Sequence, residues 1–330
     1  MKKGFAVMLI MVMATGLLFS GGAAESTSKT YTITVGLAQP ESHTYYQAFQ
    51  QFKQEVESKT NGQVKVNIFA NNQLGSEKEM QEAVSLGSLE MTLTGVLVSY
   101  EPLLAILELP YLFENRDQIK AFHETAEVLA VAKKLEGKNI KLMAFYENGF
   151  RQVTNNRRPI NSPADLRGLA MRTPENPAQM ETFKQLGSVV TPLPSTELYS
   201  ALQQGVVDGQ ENPLQNIVSN KFYEVQKHLA ITNHIYNSGY VIMNNSFFNG
   251  LPHDFQKIVM DAISASEDWQ MSVCAEADEG LLEFLIEEGI QVTYPDIKEF
   301  QNAVEPVYDV FIRKYGEEAR NLIDRAKLLR

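Results

Sequence analysis

Between Tyr31 and Phe145 the apolar pattern switches repeatedly between period two and period 3.6, which restricts the chain to a wound α/β architecture. Tyr31-Thr-Ile-Thr-Val-Gly-Leu37 alternates as a strand, and Tyr45 to Lys59 then spaces Phe49, Phe52 and Val56 at helical intervals. Thr60-Asn61-Gly62 breaks that helix. Val64 to Phe69 alternates again, Asn71-Asn72 marks a loop, Glu77 to Leu86 reads as helix and Leu89 to Thr94 as strand. One long helix over Arg116 to Glu136 and a strand over Ile140 to Phe145 complete a first lobe.

A second series starts near Gly149. Arg151 to Thr154 reads as a short strand, Pro159 and Pro163 close a loop, and Gly168 to Arg172 is the next strand. Helix Pro177 to Leu186, strand Ser188 to Thr191, helix Ser195 to Gln204 and the turn Val206-Val-Asp-Gly209 follow, before Tyr236 to Met243 returns to β. After Pro252, apolar residues from Phe255 to Leu285 hold a helical rhythm over about 30 residues, longer than most globular helices. Two readings stay open: one helix that crosses between lobes with a bend at Gly280, or two helices broken there. A strand over Ile290 to Thr293 and two helices end the chain.

Of the 330 residues, the first two dozen read as a secretory leader. Lys2 and Lys3 precede an apolar run from Phe5 to Phe19, and Gly22-Ala23-Ala24 supplies small residues for cleavage, so the mature chain is expected to start near Glu25 in the periplasm. No cysteine stands at that junction to carry a lipid. The remainder exceeds what one core organises, so two domains are expected. Formal charge is −11, or −13 without Lys2 and Lys3, which disfavours nucleic acid and anionic lipid as partners. The single cysteine, Cys274, excludes an internal disulfide and reads as a small buried residue.

Enzyme signatures are absent. The sequence has no Gly-x-Gly-x-x-Gly, no phosphate-binding Gly-x-x-x-x-Gly-Lys, no Gly-x-Ser-x-Gly and no His-Glu-x-x-His. His43, His123, His228, His234 and His253 lack metal-ligand spacing, so no metal or other cofactor is expected.

Three ordered blocks carry the functional reading: Glu-Asn-Gly-Phe-Arg-Gln-Val-Thr-Asn from 147, Ala-Asp-Leu-Arg-Gly-Leu-Ala-Met-Arg-Thr-Pro-Glu-Asn-Pro from 164, and Glu-Leu-Tyr-Ser-Ala-Leu-Gln-Gln-Gly-Val-Val-Asp-Gly-Gln-Glu-Asn-Pro from 197. Together with Asn-Gln-Leu-Gly-Ser-Glu at 72 to 77, Leu-Pro-Tyr-Leu-Phe at 109 to 113 and Asn-Lys-Phe-Tyr-Glu-Val-Gln-Lys at 220 to 227, they resemble the DctP-type solute-binding proteins of TRAP transporters, the tripartite ATP-independent periplasmic systems. The resemblance runs over essentially the whole mature chain. It implies a two-lobed fold like the type II periplasmic binding proteins, with a long helix bracing both lobes. The expected lobes are residues 25–149 plus 238–279, and 150–237 plus 280–330.

The resemblance also implies a ligand carboxylate held by an arginine, here Arg172. A guanidinium presents two parallel N–H donors to the two carboxylate oxygens, and a strand end in an open α/β sheet points into the crevice. Spacing alone leaves a structural salt bridge equally open. Arg151 is similar to the family's second cleft arginine, with a domain-organising ion pair as the competing role. Asn212 matches the ligand-facing asparagine, and the neighbouring Glu211 could hold an arginine in place. Glu77 matches a position that reaches ligand hydroxyls in the similar sialic-acid receptors, although an acid favoured by the helix dipole is an equal alternative. Gln39 and His43 are expected on the opposite wall, and Glu175 and Asn176 beside the key arginine.

Sialic-acid receptors carry Glu-Ser-Ala-Arg after the third strand, where this chain has Thr94-Gly-Val-Leu-Val-Ser-Tyr100. Arg-Thr-Pro-Glu-Asn-Pro at 172 to 177 looks more like receptors for hexuronates and related sugar acids. The expected function is therefore capture of a small carboxylate by lobe closure, as a monomer, for delivery to the two TRAP membrane subunits. Rival readings are a periplasmic enzyme on sugar acids with Glu77 or Glu175 as base, and a binding protein that presents its closed form to a sensor.

Overall fold

A computed structural model describes residues 29–330; the expected leader over 1–24 and its cleavage point lie outside the described residues. Strands β1 (Tyr31–Gly36), β2 (Val64–Phe69), β3 (Met91–Thr94) and β4 (Ile140–Phe150) alternate with helices α1 (Thr44–Lys59), α2 (Glu77–Leu86), α3 (Arg116–His123) and α4 (Ala126–Lys134). The second series comprises β5 (Gln152–Asn155), β6 (Ala170–Thr173), α5 (Pro177–Gln185), β7 (Val189–Pro192), α6 (Ser195–Gln203), β8 (Gly209–Asn212), α7 (Leu214–Ser219) and β9 (His228–Ala230). Strand β10 (Tyr236–Asn244), helices α8 (Asn245–Gly250) and α9 (His253–Glu287), strand β11 (Gln291–Thr293), and helices α10 (Ile297–Val304) and α11 (Pro306–Leu328) follow.

The strands form two mixed sheets, ordered β2-β1-β3-β10-β4 and β11-β9-β5-β8-β6-β7. In the first, β1 runs parallel to β2 and β3 while β10 lies antiparallel between β3 and β4. Alternation on β1 buries Ile33 and Val35 against Phe49, Phe52 and Val56 of α1. Each such side chain contributes roughly 1.5–3 kcal/mol on burial, so helix and sheet hold one another in place. In the second sheet, Gly209 opens β8 where a Cβ would lie 2.2 Å from the Thr154 carbonyl oxygen. Only glycine permits that approach, which explains the Val-Asp-Gly turn.

The chain passes between the sheets at two adjacent points and a third time along α9, which leads from β10 to β11. Arg151 alone separates β4 from β5, and residues 231–235 separate β9 from β10. The Arg151 amide donates to the Ile235 carbonyl at 2.8 Å and ties the two crossings together.

Helix α9 settles the ambiguity after Pro252: its 35 residues are one helix that passes Gly280 without interruption. At 1.5 Å per residue it is about 52 Å long. Val259, Ala262 and Ile263 pack on the first sheet, whereas Leu285 joins Leu198, Leu202, Leu214 and Ile217 of the second. Packing at both ends outweighs the roughly 1 kcal/mol that a helical glycine costs. Midway, the Gln270 amide accepts from Glu147 N at 2.7 Å and donates to Glu147 O at 2.8 Å, docking the helix on β4.

Two expectations change. The single helix expected over 116–136 is α3 and α4, because Thr125 caps a new helix instead of continuing the old one. The last helix, expected with the second lobe alone, packs on both. Its Leu322, Ile323 and Ala326 share a core with Leu104 and Ile106 of the 3-10 turn Pro102–Glu108, and Gln118 of α3 donates to Ala326 O at 2.7 Å. At Gly316, φ +66° and ψ −138° bend α11 so that it follows this surface.

At the end of the 3-10 turn Pro102–Glu108, Glu108 is buried beside Gln179 of α5, which donates to Oε2 at 2.5 Å, and its Oε1 has no partner among the described residues. Burial raises its pKa to about 8, with Arg151 only partly opposing. The folded state therefore holds a proton that the unfolded chain releases near pH 4.5, and this site costs stability increasingly as pH rises from 4.5 to about 8. Glu108→Gln removes that slope: the variant should gain on the order of 3 kcal/mol relative to wild type between pH 5 and pH 8, read from urea unfolding at both.

Candidate functional site

Between the sheets lies a cavity of about 510 Å³. From the first sheet's side come Gln39 after β1, Glu77 at the start of α2, Asn148 on β4 and Asn237 on β10; from the second come Arg172, Asn212 and Asn216. Arg151, at the crossing itself, completes the floor.

Arg172 sits near the end of β6 and is 4% exposed. Its Nε and Nη2 both donate to the Leu193 carbonyl, at 2.9 and 2.6 Å, and no carboxylate pairs with it among the described residues. Burial, followed by the nearby Arg151, lowers its pKa to about 10, so it stays protonated at neutral pH. The alternative of a structural salt bridge is not what the geometry shows.

Arg151 differs in this respect. Its guanidinium bonds both carboxylate oxygens of Glu211, with Nη2 2.9 Å from Oε1, and also donates to Asn212 Oδ1 at 3.2 Å and Asn237 Oδ1 at 3.4 Å. His234 Nε2 adds a third contact to Glu211 at 3.2 Å. Burial alone would push the Glu211 carboxyl up, yet Arg151 and His234 hold it below the ordinary range. The organising ion pair weighed against a ligand contact for Arg151 is thus present, with Glu211 as the residue that holds it.

Asn212 faces the cavity, but its amide is engaged: Oδ1 accepts from Arg151 and from Asn216 Nδ2 at 3.2 Å, and Nδ2 donates to Gln210. Glu77 accepts from Thr94 Oγ1 at 3.0 Å and Gly95 N at 3.1 Å, with Gln39 Nε2 3.5 Å from its second oxygen. Glu175 is exposed at the rim.

Two residues expected at the ligand, His43 on the opposite wall and Asn176 beside Arg172, lie elsewhere. His43 is buried as the cap of α1, accepting from Tyr45 N through Nδ1 at 3.1 Å and meeting Asn216 Oδ1 through Nε2 at 3.0 Å. Burial lowers its pKa to about 4, so it is neutral and orients Asn216 from behind. Asn176 is fully buried as the cap of α5, accepting from Ala178 N at 2.9 Å. In both, a polar side chain next to a loop serves the first turn of the following helix.

The sequence reading missed Asn148, Asn216, Asn237 and Tyr45. Asn148 stood inside a quoted block, three residues before Arg151, and Asn216 lies four residues beyond Asn212, in the first turn of α7. Asn237 and Tyr45 carried no local signal. Tyr45 is 1% exposed and its hydroxyl is unpartnered at the cavity wall.

With Glu211→Gln the Arg151 guanidinium loses its counter-ion in a site 2% exposed. A loss of about 3–5 kcal/mol in unfolding free energy is expected by chemical denaturation, with Glu211→Asp retaining part of it.

The profile of bacterial extracellular solute-binding proteins, family 7, matches residues 35–314. The 2,3-diketo-L-gulonate-binding periplasmic protein YiaO of Escherichia coli is 32% identical over 312 residues, covering 92% of this chain and 94% of its own. Among solved structures, the TRAP periplasmic solute-binding protein of Polaromonas sp. JS666 bound to D-erythronate superposes with TM-score 0.85 at 33% identity, covering 89% of this chain and 98% of that one. The sugar acid-binding protein DctPAm of Advenella mimigardefordensis in complex with galactonate gives TM-score 0.88 at 30% identity, covering 92% and 99%.

Proposed function

The chain belongs to the family 7 bacterial extracellular solute-binding proteins, and from that membership we propose that it is the exported receptor of a TRAP transporter for a sugar monocarboxylic acid. One observation carries the reading: Arg172, buried and paired with no carboxylate among the described residues, faces a cavity where Gln39, Asn148, Asn212, Asn216 and Asn237 present amides, Arg151 is paired with Glu211, and Glu77 is engaged by Thr94 and Gly95. A buried cation left unpaired is costly, and an entering carboxylate supplies what the chain withholds.

The charge count favours one carboxylate rather than two. Arg151 is neutralised by Glu211, and the remaining wall cation, Lys78, is exposed at the rim beside Glu77 and Glu79. Asn148, Asn216, Asn237 and Gln39 present amides that donate and accept, which suits the hydroxyls of a sugar acid. The volume is within the range of small-molecule sites.

Mechanism follows from the two-sided lining. Arg172 on the second lobe meets the carboxylate first, and the residues of the first lobe add contacts as the cleft closes, so ligand favours the closed state by its higher affinity for it. The closed monomer then presents itself to the membrane subunits, with no bond made or broken. No helix among the described residues is long and apolar enough to cross a membrane, which leaves passage to those partners. The two rivals remain testable: turnover of a bound acid identifies an enzyme, and a neighbouring sensor gene in place of permease genes identifies a signalling receptor.

In a thermal-shift screen, galactonate, galacturonate, L-gulonate or 2,3-diketo-L-gulonate should raise the melting temperature more than succinate does. Arg172→Ala should abolish calorimetric binding of the acid that shifts it, and Arg172→Lys should weaken it by about 100-fold or more, because a point charge replaces a planar fork. Near wild-type affinity in either variant removes Arg172 from this role.

A further inference from the structure

The wall next to Arg172 is the amino end of α6, and that end is uncapped. Its cap position is Pro194, which has no side-chain acceptor, and among the described residues the amides of Ser195 and Thr196 donate to no group. Only the third amide of the helix, Glu197 N, is satisfied, by Pro194 O at 3.2 Å. Ser195 and Thr196 both line the cavity. The Glu197 side chain is exposed and bonds neither amide.

An uncapped helix end alone would be solvated by water. Here a second feature converges on it. Arg172, 4% exposed and without a counter-ion, is clamped through Nε and Nη2 onto Leu193 O, at 2.9 and 2.6 Å. Pro194 alone separates Leu193 from Ser195, so the clamp and the first free amide lie within about 7 Å along the chain. The clamp also spends Nε and half of the fork, which leaves Nη1 and one edge for an anion. A carboxylate has about four lone-pair sites, and in a closed cleft each one left empty costs free energy. Arg172 by itself does not fill them.

We propose that the ligand carboxylate is held jointly by Arg172 and the free amides of Ser195 and Thr196, the start of α6 forming the second half of an anion cradle. The inference rests on the sugar-acid reading and deepens it. The guanidinium supplies charge, while two backbone donors, fixed in direction by the proline-bracketed segment Pro192-Leu193-Pro194, set the orientation of the carboxylate plane.

Proline tests a backbone amide directly. Ser195 is the first residue of α6, a position that accepts proline, and Pro194 already has the extended ψ of 155° that a residue before proline requires. Ser195→Pro removes the amide and the hydroxyl; Ser195→Ala removes the hydroxyl alone. With whichever of galactonate, galacturonate, L-gulonate and 2,3-diketo-L-gulonate binds wild type, calorimetry should give Ser195→Pro an affinity at least about tenfold below that of Ser195→Ala. Equal affinities overturn the cradle and leave Arg172 as sole anchor. If Ser195→Pro does not fold, the amide protons of Ser195 and Thr196 in isotope-labelled wild type decide: both should move downfield on saturation with the acid, and stationary signals overturn the inference. Failure of all four acids to bind wild type overturns the sugar-acid reading and the cradle with it.

Discussion

A guanidinium shut away from water with no carboxylate beside it is the interaction around which this molecule is arranged. Arg172 and Arg151 are both almost fully buried, yet Glu211, itself held by His234, pairs with Arg151, and no carboxylate in the described chain pairs with Arg172. The difference assigns their roles. A paired charge serves structure, because breaking it exposes a large desolvation cost, whereas an unpaired one is tolerable only where an anion arrives from outside. Arg151 accordingly lies at the crossing between sheets, and Arg172 on the wall of the space between them.

The scaffold keeps that contrast sharp. Gly209 lets β8 press against β5, which brings Glu211 onto Arg151. Asn212 and Asn216 extend the network to His43, so the cavity floor is a continuous set of hydrogen bonds from α1 to α7. Helix α9 spans both cores and Gln270 fastens it to β4 at Glu147, immediately before the asparagine that faces the ligand space. Rigid backing of this kind is what allows a few polar side chains to discriminate among similar solutes.

Much of this was legible in the sequence, for identifiable reasons. Strand and helix alternation is a local signal, so the wound α/β order and the three functional blocks could be read directly, while the helical rhythm after Pro252 left one helix or two equally open. Arg172, Arg151, Glu77, Gln39, Asn212 and Glu175 do come together around one cavity. What failed were roles set by contacts distant in sequence. His43 was expected on the opposite wall and Asn176 beside Arg172 because of the loops they sit in, but each satisfies the first turn of a helix. The break at Thr125 was hidden because apolar spacing continued across it, and the alliance of α11 with α3 depends on a bend at Gly316 that periodicity does not register. Asn237 and Tyr45 reach the site from elements whose pattern reports only burial.

The twin crossings have a consequence for how such a protein can change. Because β10 returns to the first sheet after β5 through β9, and α9 then leads to β11 at the edge of the second, neither sheet is encoded by one uninterrupted stretch. A recombination event that replaced either half would need three simultaneous joints, two of them beside Arg151 and Ile235 where the backbone is fastened and one along α9. Gene shuffling is therefore a poor route to a new solute preference in this architecture. Divergence by single substitutions along the cavity wall, with the hinge sequence held fixed, is the route the topology leaves open.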